Sequence, residues 1–456
     1  AGYEPDRARW HDERRRAFVA ADRIENGIDD FRRWLAEHPN DPYAQYNLGV
    51  LLFEAGELEN AKRAFRRALE ADPDYNPPHY NLGLALAAQH QHEAAIEQFR
   101  QRLEAAPDDA EALFSLGKSM AAIGRAGRAV ELYRACLAAD PEHTNAMNHL
   151  GSMLAGQGKP DPAKALFQRA LEVDPDNAQA HFHLGFQAAR AGRYPTAIEH
   201  FTQSLGAAPG DPDTHFNLAM AHMETGAFEE AAAHLETTIE ADPNYAKAYS
   251  NLALALARQG KHDAAQAPAR LARQRLPQDA NTLFNLGYAA ELAGREAETA
   301  SRYEDAIARD AHHADALARL AALRARKGDA DAAEPLFTRA LEAGPGNPDV
   351  HFLLGLARMR QARFEAAAQR FRRVPELTPG HVDAEYNLGL AALRLGQTAE
   401  AKRRFQSALA AAPRHSGALA SLGLLAVKHG DAEDGIGRIE RALELDAGNS
   451  TAHYGK

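Results

Sequence analysis

Residues 42–75 read PYAQYNLGVLLFEAGELENAKRAFRRALEADPDY, and residues 76–109 read NPPHYNLGLALAAQHQHEAAIEQFRQRLEAAPDD. Set one above the other, the two stretches share a leucine and glycine (Leu48-Gly49, Leu82-Gly83), an alanine with an aromatic four residues on (Ala61/Phe65, Ala95/Phe99), and a closing proline (Pro73, Pro107). The period persists beyond them. Steps of 34 from Leu48 land on Leu82, Leu116, Leu150, Leu184, Leu218, Leu252, Leu286, Leu320, Leu354, Leu388 and Leu422, without insertion, and glycine or alanine always follows. The alanine and bulky pair recurs as Ala129/Tyr133, Ala163/Phe167, Ala197/Phe201, Ala333/Phe337, Ala367/Phe371 and Ala401/Phe405, and a spacing of four puts both residues on one helical face. A glycine stands between the two patterns in most periods (Gly56, Gly124, Gly158, Gly192), and a proline ends most of them, where it stops one helix ahead of the next.

Each period therefore predicts two short helices. Such a pair cannot bury its own apolar stripe, whereas stacked neighbours make one continuous core. The leucine, alanine and aromatic places are structural on this reading. Cys136 stands at an alanine place of a second helix, where a small buried thiol packs well.

The pattern closely resembles the tetratricopeptide repeat family, whose helix–turn–helix unit is 34 residues long. The resemblance implies an all-α, right-handed superhelical solenoid. It gives three segments: residues 1–41 as a degenerate N-terminal capping repeat, residues 42–449 as twelve tandem repeats, and residues 450–456 as the start of a further helix. Within the first segment Phe31, Leu35 and Pro39 fit the register, while Arg14 takes the leucine place and Gly27 the alanine place. Trp10, Trp34 and the polar run from His11 to Arg16 suit an end cap with one wet face.

In the family, first helices line a concave groove. Two residues before the recurring leucine stand Tyr46, Tyr80, Phe114, Phe182, Phe216, Phe284, Phe352 and Tyr386, and one residue before it Asn47, Asn81, Asn217, Asn251, Asn285 and Asn387. The resemblance implies that both rows face the groove. An amide both donates and accepts, so a row of asparagines can pair with the backbone of an extended peptide, as a similar row suggests for the repeats of O-linked N-acetylglucosamine transferase. Aromatics add rigid apolar contact, although packing against the adjacent repeat explains them equally well. Six residues after the leucine the chain turns basic: Arg326, Arg360, Arg394 and Lys428, with Arg319 nearby. These suit an acidic ligand, and they also complement the helix dipole opposite Asp315, Asp349 and Asp383. Some family members clamp a C-terminal carboxylate. Here Asn285 and Arg319 match two places of that clamp, but Ser250, Leu254 and Asp315 break it.

Lys and Arg number 52 against 63 Asp and Glu, a net charge of −11 that argues against a general nucleic-acid binder. A lone cysteine excludes internal disulfides and Cys-based metal motifs. No apolar run is long enough to span a membrane, and no signal peptide is recognisable before the first repeat. The 21 histidines include His90/His92 and His181/His183, but an i, i+2 spacing on a helix points two rings apart, and no His-Glu-x-x-His, nucleophile elbow or phosphate loop occurs.

No metal, cofactor or catalysis is expected. The sequence reads as a non-enzymatic scaffold for a protein or extended peptide. Two alternatives stay open: the substrate-recruiting lobe of a larger enzyme, such as a glycosyltransferase continuing beyond Lys456, and a bacterial envelope assembly factor. Cytoplasm and periplasm fit equally, and oligomeric state is not readable. A soft joint is expected in the seventh repeat, where a second helix near His262 to Leu276 has Pro268 inside it and Ala269 at a bulky place.

Overall fold

In a computed structural model, which describes residues 5–455, every regular element among those residues is a helix. Helices Pro5–Ala20 and Ile24–Glu37 precede twelve pairs that run from Pro42–Glu54 with Leu58–Ala71 to Ser416–Lys428 with Ala432–Leu445, and helix Ser450–Gly455 follows. The helices group into two compact blocks, residues 1–221 and 222–456, and the division falls inside helix Pro212–Thr225.

Local chemistry sets each boundary. First helices begin at a recurring cap: Asp41, Asp109, His143, Asn177, Asp279, His313, Asn347, His381 and His415 each accept a backbone N–H of the first turn. They end in a left-handed residue, usually glycine, as at Gly56 (φ 79°) and Gly328 (φ 84°). His90 and Ala362 adopt that conformation with a Cβ, at φ 59° and 56°. The loop between repeats is tied by a side chain. Nε2 of His181, His215 and His351 donates to the carbonyl of the proline six residues earlier, at 3.0, 2.9 and 3.0 Å, and Gln45 and Tyr249 make the same bond to Pro39 and Pro243. Histidine recurs there as a loop tie.

The core repeats one contact. In the repeats that carry both residues, the ring of the second helix packs against the glycine of its own first helix: a Cβ at Gly49 would stand 2.5 Å from the Phe65 ring, and one at Gly389 2.5 Å from Phe405. Rings such as Phe65, Phe99, Phe167 and Phe405 are fully buried. The two places vary together along the chain. Ala219 is in register with Leu235 and Ala253 with Ala269, although Ala321 keeps Phe337.

The seventh repeat differs from the sequence expectation. Its second helix is only Gln266–Arg275, residues 262–265 form turns, and Pro268 is the third helical residue rather than an interior one. The cause is Pro268 itself, which has no N–H for the Ala264 carbonyl and would collide with it, so the helix starts late. Ala269 leaves a solvent-open cavity of 440 Å³ bordered by Leu286, Ala289, Arg270 and Arg302.

At the N-terminal end Asp41 gathers several donors. It accepts from Trp34 Nε1 at 2.9 Å, His11 Nε2 at 3.1 Å and the N–H groups of Tyr43 and Ala44, and pairs with Arg7 at 2.9 Å. Burial would raise the Asp41 carboxyl, but the bonds from His11, Trp34 and Ala44 outweigh it and hold the group well below the usual carboxylate range. Arg14, at the leucine place, makes a two-pronged bond to Asp30 at 2.5 and 2.6 Å.

Candidate partner-binding face

Several first helices pack directly against the first helix of a neighbouring repeat, most closely Ala246–Arg258 with Ala280–Leu292 and Ala314–Arg326 with Pro348–Arg360, whereas the main contacts of second helices are with first helices. The first helices of each block form one layer, joined directly or through the second helices between them. Its solvent side carries the columns on which the sequence reading rests.

The aromatic column is committed to packing before it meets solvent. Tyr46, Tyr80, Phe182, Phe284, Phe352 and Tyr386 are all half-buried. Each sits beside the second-helix ring of its own repeat, at 6.0 Å for Tyr46–Phe65 and Tyr80–Phe99, 5.9 Å for Phe182–Phe201, Phe284–Tyr303 and Phe352–Phe371, and 5.7 Å for Tyr386–Phe405. The histidine cap of the next repeat covers a further part of Phe284, Phe352 and Tyr386, at 4.9, 5.3 and 4.8 Å. Phe216 is half-buried as well.

The asparagine column divides. Asn47 is buried: its Nδ2 donates to the Tyr43 carbonyl, and its Oδ1 accepts from Arg15 Nε of the N-terminal helix at 2.9 Å. The cap helix closes this place to a partner, which the sequence did not foresee because Arg15 reaches it from 32 residues away. Asn81 donates to Tyr46 Oη at 3.0 Å, and Asn285 donates to Asn251 Oδ1 at 3.2 Å. Asn217, Asn251 and Asn387 each spend Nδ2 on the carbonyl four residues back, at 2.8, 2.9 and 2.8 Å. That bond fixes the amide rotamer.

Two members of the column were missed. His149 and His183 occupy the asparagine register in the fourth and fifth repeats, a place legible by counting from the leucine but obscured when histidines are grouped by pair spacing. His183 stacks on Phe167 at 4.7 Å, and burial pushes its imidazole down to about 4; His149 is lowered too, chiefly by burial. With Asn148, Ser152 and Phe182 they border a groove of 450 Å³. His181 turns away to Pro175 and His200, so the His181/His183 pair does point apart.

The basic column is also uneven. Glu291 accepts from Tyr303 Oη at 2.6 Å and pairs with Arg319 at 3.5 Å and Arg326 at 3.1 Å, while the Arg319 guanidinium lies 3.6 Å from the centre of the Tyr288 ring. Arg319 and Arg326 are thus largely answered within the protein by Glu291, which sequence reasoning passed over. Burial first, then the Glu291 charge, pushes the Tyr303 hydroxyl far up, so it stays a donor. Arg360, Arg394 and Lys428 are exposed, and Arg394 lies 5.9 Å from the Phe364 ring.

Comparison with known sequences gives tetratricopeptide repeat matches over residues 16–76, 80–144, 148–212, 284–348 and 386–450, with related repeat patterns matching 188–245, 325–393 and 234–267. The chain belongs to the tetratricopeptide repeat family. Repeats of this family typically serve as protein-interaction scaffolds, and that general role is what the matches support for the chain. Among solved structures it is similar to one titled as the crystal structure of the APC/C hetero-tetramer Cut9-Hcn1, at TM-score 0.50 and 13% identity over 98% of this chain and 95% of that one. It is also similar to yeast Tom70, at TM-score 0.46 and 16% identity over 90% and 93%. At these identities the first likeness bears on the fold alone. No curated protein sequence matches the chain. No helix among the described residues is long and apolar enough to cross a membrane.

Proposed function

We propose that the chain is a non-enzymatic scaffold that holds a protein or peptide segment against the solvent side of its first helices. The observation that supports this reading is the tethered asparagine. In Asn217 and Asn387 the NH2 group is tied to the carbonyl of Asp213 or Asp383, which leaves Oδ1 oriented to accept from a partner's backbone N–H with little further entropy to lose. Half-buried rings, one to a first helix in most repeats, give a partner apolar edges to rest on.

Site-specific photo-crosslinking tests the proposal. A benzophenone residue placed at Asn217, Asn251 or Asn387 should crosslink the native partner, while the same residue at Glu236 or Lys402 on second helices should not. Crosslinks from the second helices alone would overturn it. For a partner identified in this way, replacing Asn217, Asn251 and Asn285 with alanine should weaken binding by about tenfold or more at three lost bonds of about 0.5–1.5 kcal/mol each, with helical CD unchanged.

A further inference from the structure

In the ninth to eleventh repeats the first helices repeat one charge order, acidic at the start and basic at the end, and the twelfth keeps the basic end. On helix Pro348–Arg360, Asp349, Leu353, Leu356 and Arg360 stand at i, i+4, i+7 and i+11, which is one helical face. Helix Val382–Arg394 carries Asp383, Asn387, Leu390 and Arg394 at the same places. Helix Ala314–Arg326 carries Asp315, Arg319, Ala322 and Arg326, and helix Ser416–Lys428 ends the series with Leu424 and Lys428. Side by side, these helices form an acidic rail, an apolar floor and a basic rail. Met359 and Leu393 border the floor at its edge.

Helix-end charge alone does not demand this. The place of the basic rail is Glu54, Ala88, Ala122, Gly156, Glu224 and Leu292 in earlier repeats, and where it is basic, at Arg190 and Arg258, the place of the acidic rail is Gln179 and Lys247. Acidic and basic places are filled together only in the ninth to eleventh repeats, and the basic place continues at Lys428 in the twelfth, where Gly417 takes the acidic place. The rails are only partly consumed internally: Arg360, Lys428 and Asp349 are exposed, and no ion pair engages their side chains among the described residues, while Asp315 is half-buried and its Oδ1 accepts from Asn347 Nδ2 at 2.7 Å. Asp383 has only His415 Nε2, at 3.8 Å. Arg326 is the one basic member already paired, with Glu291.

The spacing selects the occupant. Eleven residues at 1.5 Å each put the rails about 16 Å apart, and four first helices at about 10 Å spacing give the floor a length of about 30 Å. An extended peptide has two sides, so one resting on the floor sends its other side chains to solvent and none to the rails. An α-helix about 10 Å wide presents side chains at all angles and can send an apolar stripe down and opposite charges to either side.

From this geometry we propose that repeats nine to twelve receive an amphipathic helix of about twenty residues whose apolar stripe is bordered by acidic residues on one edge and basic residues on the other. The acidic edge lies along Arg360, Arg394 and Lys428, and the basic edge along Asp315, Asp349 and Asp383. Turning such a helix end for end exchanges its edges. The rails therefore set the direction in which the partner runs. This inference rests on the first-helix face being the partner surface, and deepens it.

The test uses synthetic fluorescent peptides of twenty residues with a common leucine stripe and the full-length protein, read by anisotropy at two salt concentrations. The peptide with glutamates on one edge and lysines on the other should bind about tenfold tighter than peptides with the same charge on both edges, and more weakly as salt rises. It should also outbind a version of itself broken by two central prolines. Reversing one rail (R360E, R394E, K428E) should remove the preference; reversing the other as well (D315K, D349K, D383K) should restore it, with a terminal fluorophore now reporting the opposite direction by energy transfer. Circular dichroism checks that each variant is folded, and an R360Q, R394Q pair repeats the test with a milder change. Equal binding of the proline-broken peptide, or no preference among the charge patterns, would overturn the helix inference while crosslinks from Asn251 and Asn387 still upheld the partner face. Loss of those crosslinks as well would remove both.

Discussion

Replacing Ala269 with leucine should stiffen the seventh repeat. The side chain borders the 440 Å³ cavity beside Leu286 and Ala289, at the place where other repeats bury a ring or, in the sixth and twelfth, Leu235 and Ile439. Leucine rather than phenylalanine is the choice because Ala253 stands opposite, and the in-register pair of Ala219 with Leu235 has the same sizes. Three added carbons at about 0.8 kcal/mol each give about 2 kcal/mol, less about 0.5–1 kcal/mol for the leucine rotamers frozen. A net gain of about 1–1.5 kcal/mol slows local opening by about tenfold. Native-state hydrogen exchange reads this directly: in the parent protein residues 266–275 should exchange fastest among the interior second helices, and in the variant about ten times more slowly. Helix Pro160–Val173, three repeats away, should not change, since a solenoid keeps its deficits local. Unchanged exchange in 266–275 would refute the cavity as the source of softness and leave the shortened helix at Pro268 as its cause.

Ala362→Gly should stabilise the tenth repeat by about 0.5–1 kcal/mol in urea unfolding, because the left-handed conformation at φ 56° costs an alanine more than the added freedom of the unfolded glycine. His183, whose folded pKa of about 4 lies below its unfolded value, contributes stability that is complete above pH 6.5 and is lost as pH falls towards 4, by up to about 3 kcal/mol; exchange in the fourth and fifth repeats should quicken over that window, and His183→Gln should flatten the dependence. Burial pushes the Cys136 thiol up to about 12, so at pH 8 iodoacetamide should label it only through opening of the third repeat, at a rate that rises with denaturant. Labelling as fast as a free thiol in the native protein would contradict its burial.

The 34-residue period made the fold legible because most repeats use a glycine and a ring at the same two places for the same contact. The candidate face was legible only as columns. Periodicity names the residues that share a face, but whether each is open depends on neighbours that periodicity does not connect. Asn47 lies beneath Arg15, and Arg319 and Arg326 are answered by Glu291, which belongs to no column that stood out. The shortened helix at Pro268 escaped for a related reason: a proline fixes where a helix cannot continue, and the chain chose to start late rather than to break.

Every main packing partner of a helix is its neighbour or next neighbour in the chain, and bonds that join successive repeats, such as Asn81 to Tyr46 and Arg326 to Glu291, bridge only 35 positions. This matters on the ribosome. At a synthesis rate of about 5–20 residues per second, each repeat emerges within about 2–7 seconds, and its partners are already waiting upstream. The cap around Asp41 can close first, and each new pair of helices then finds a finished surface to land on. Folding keeps step with translation, so the apolar stripe left uncovered at any moment is that of the newest repeat.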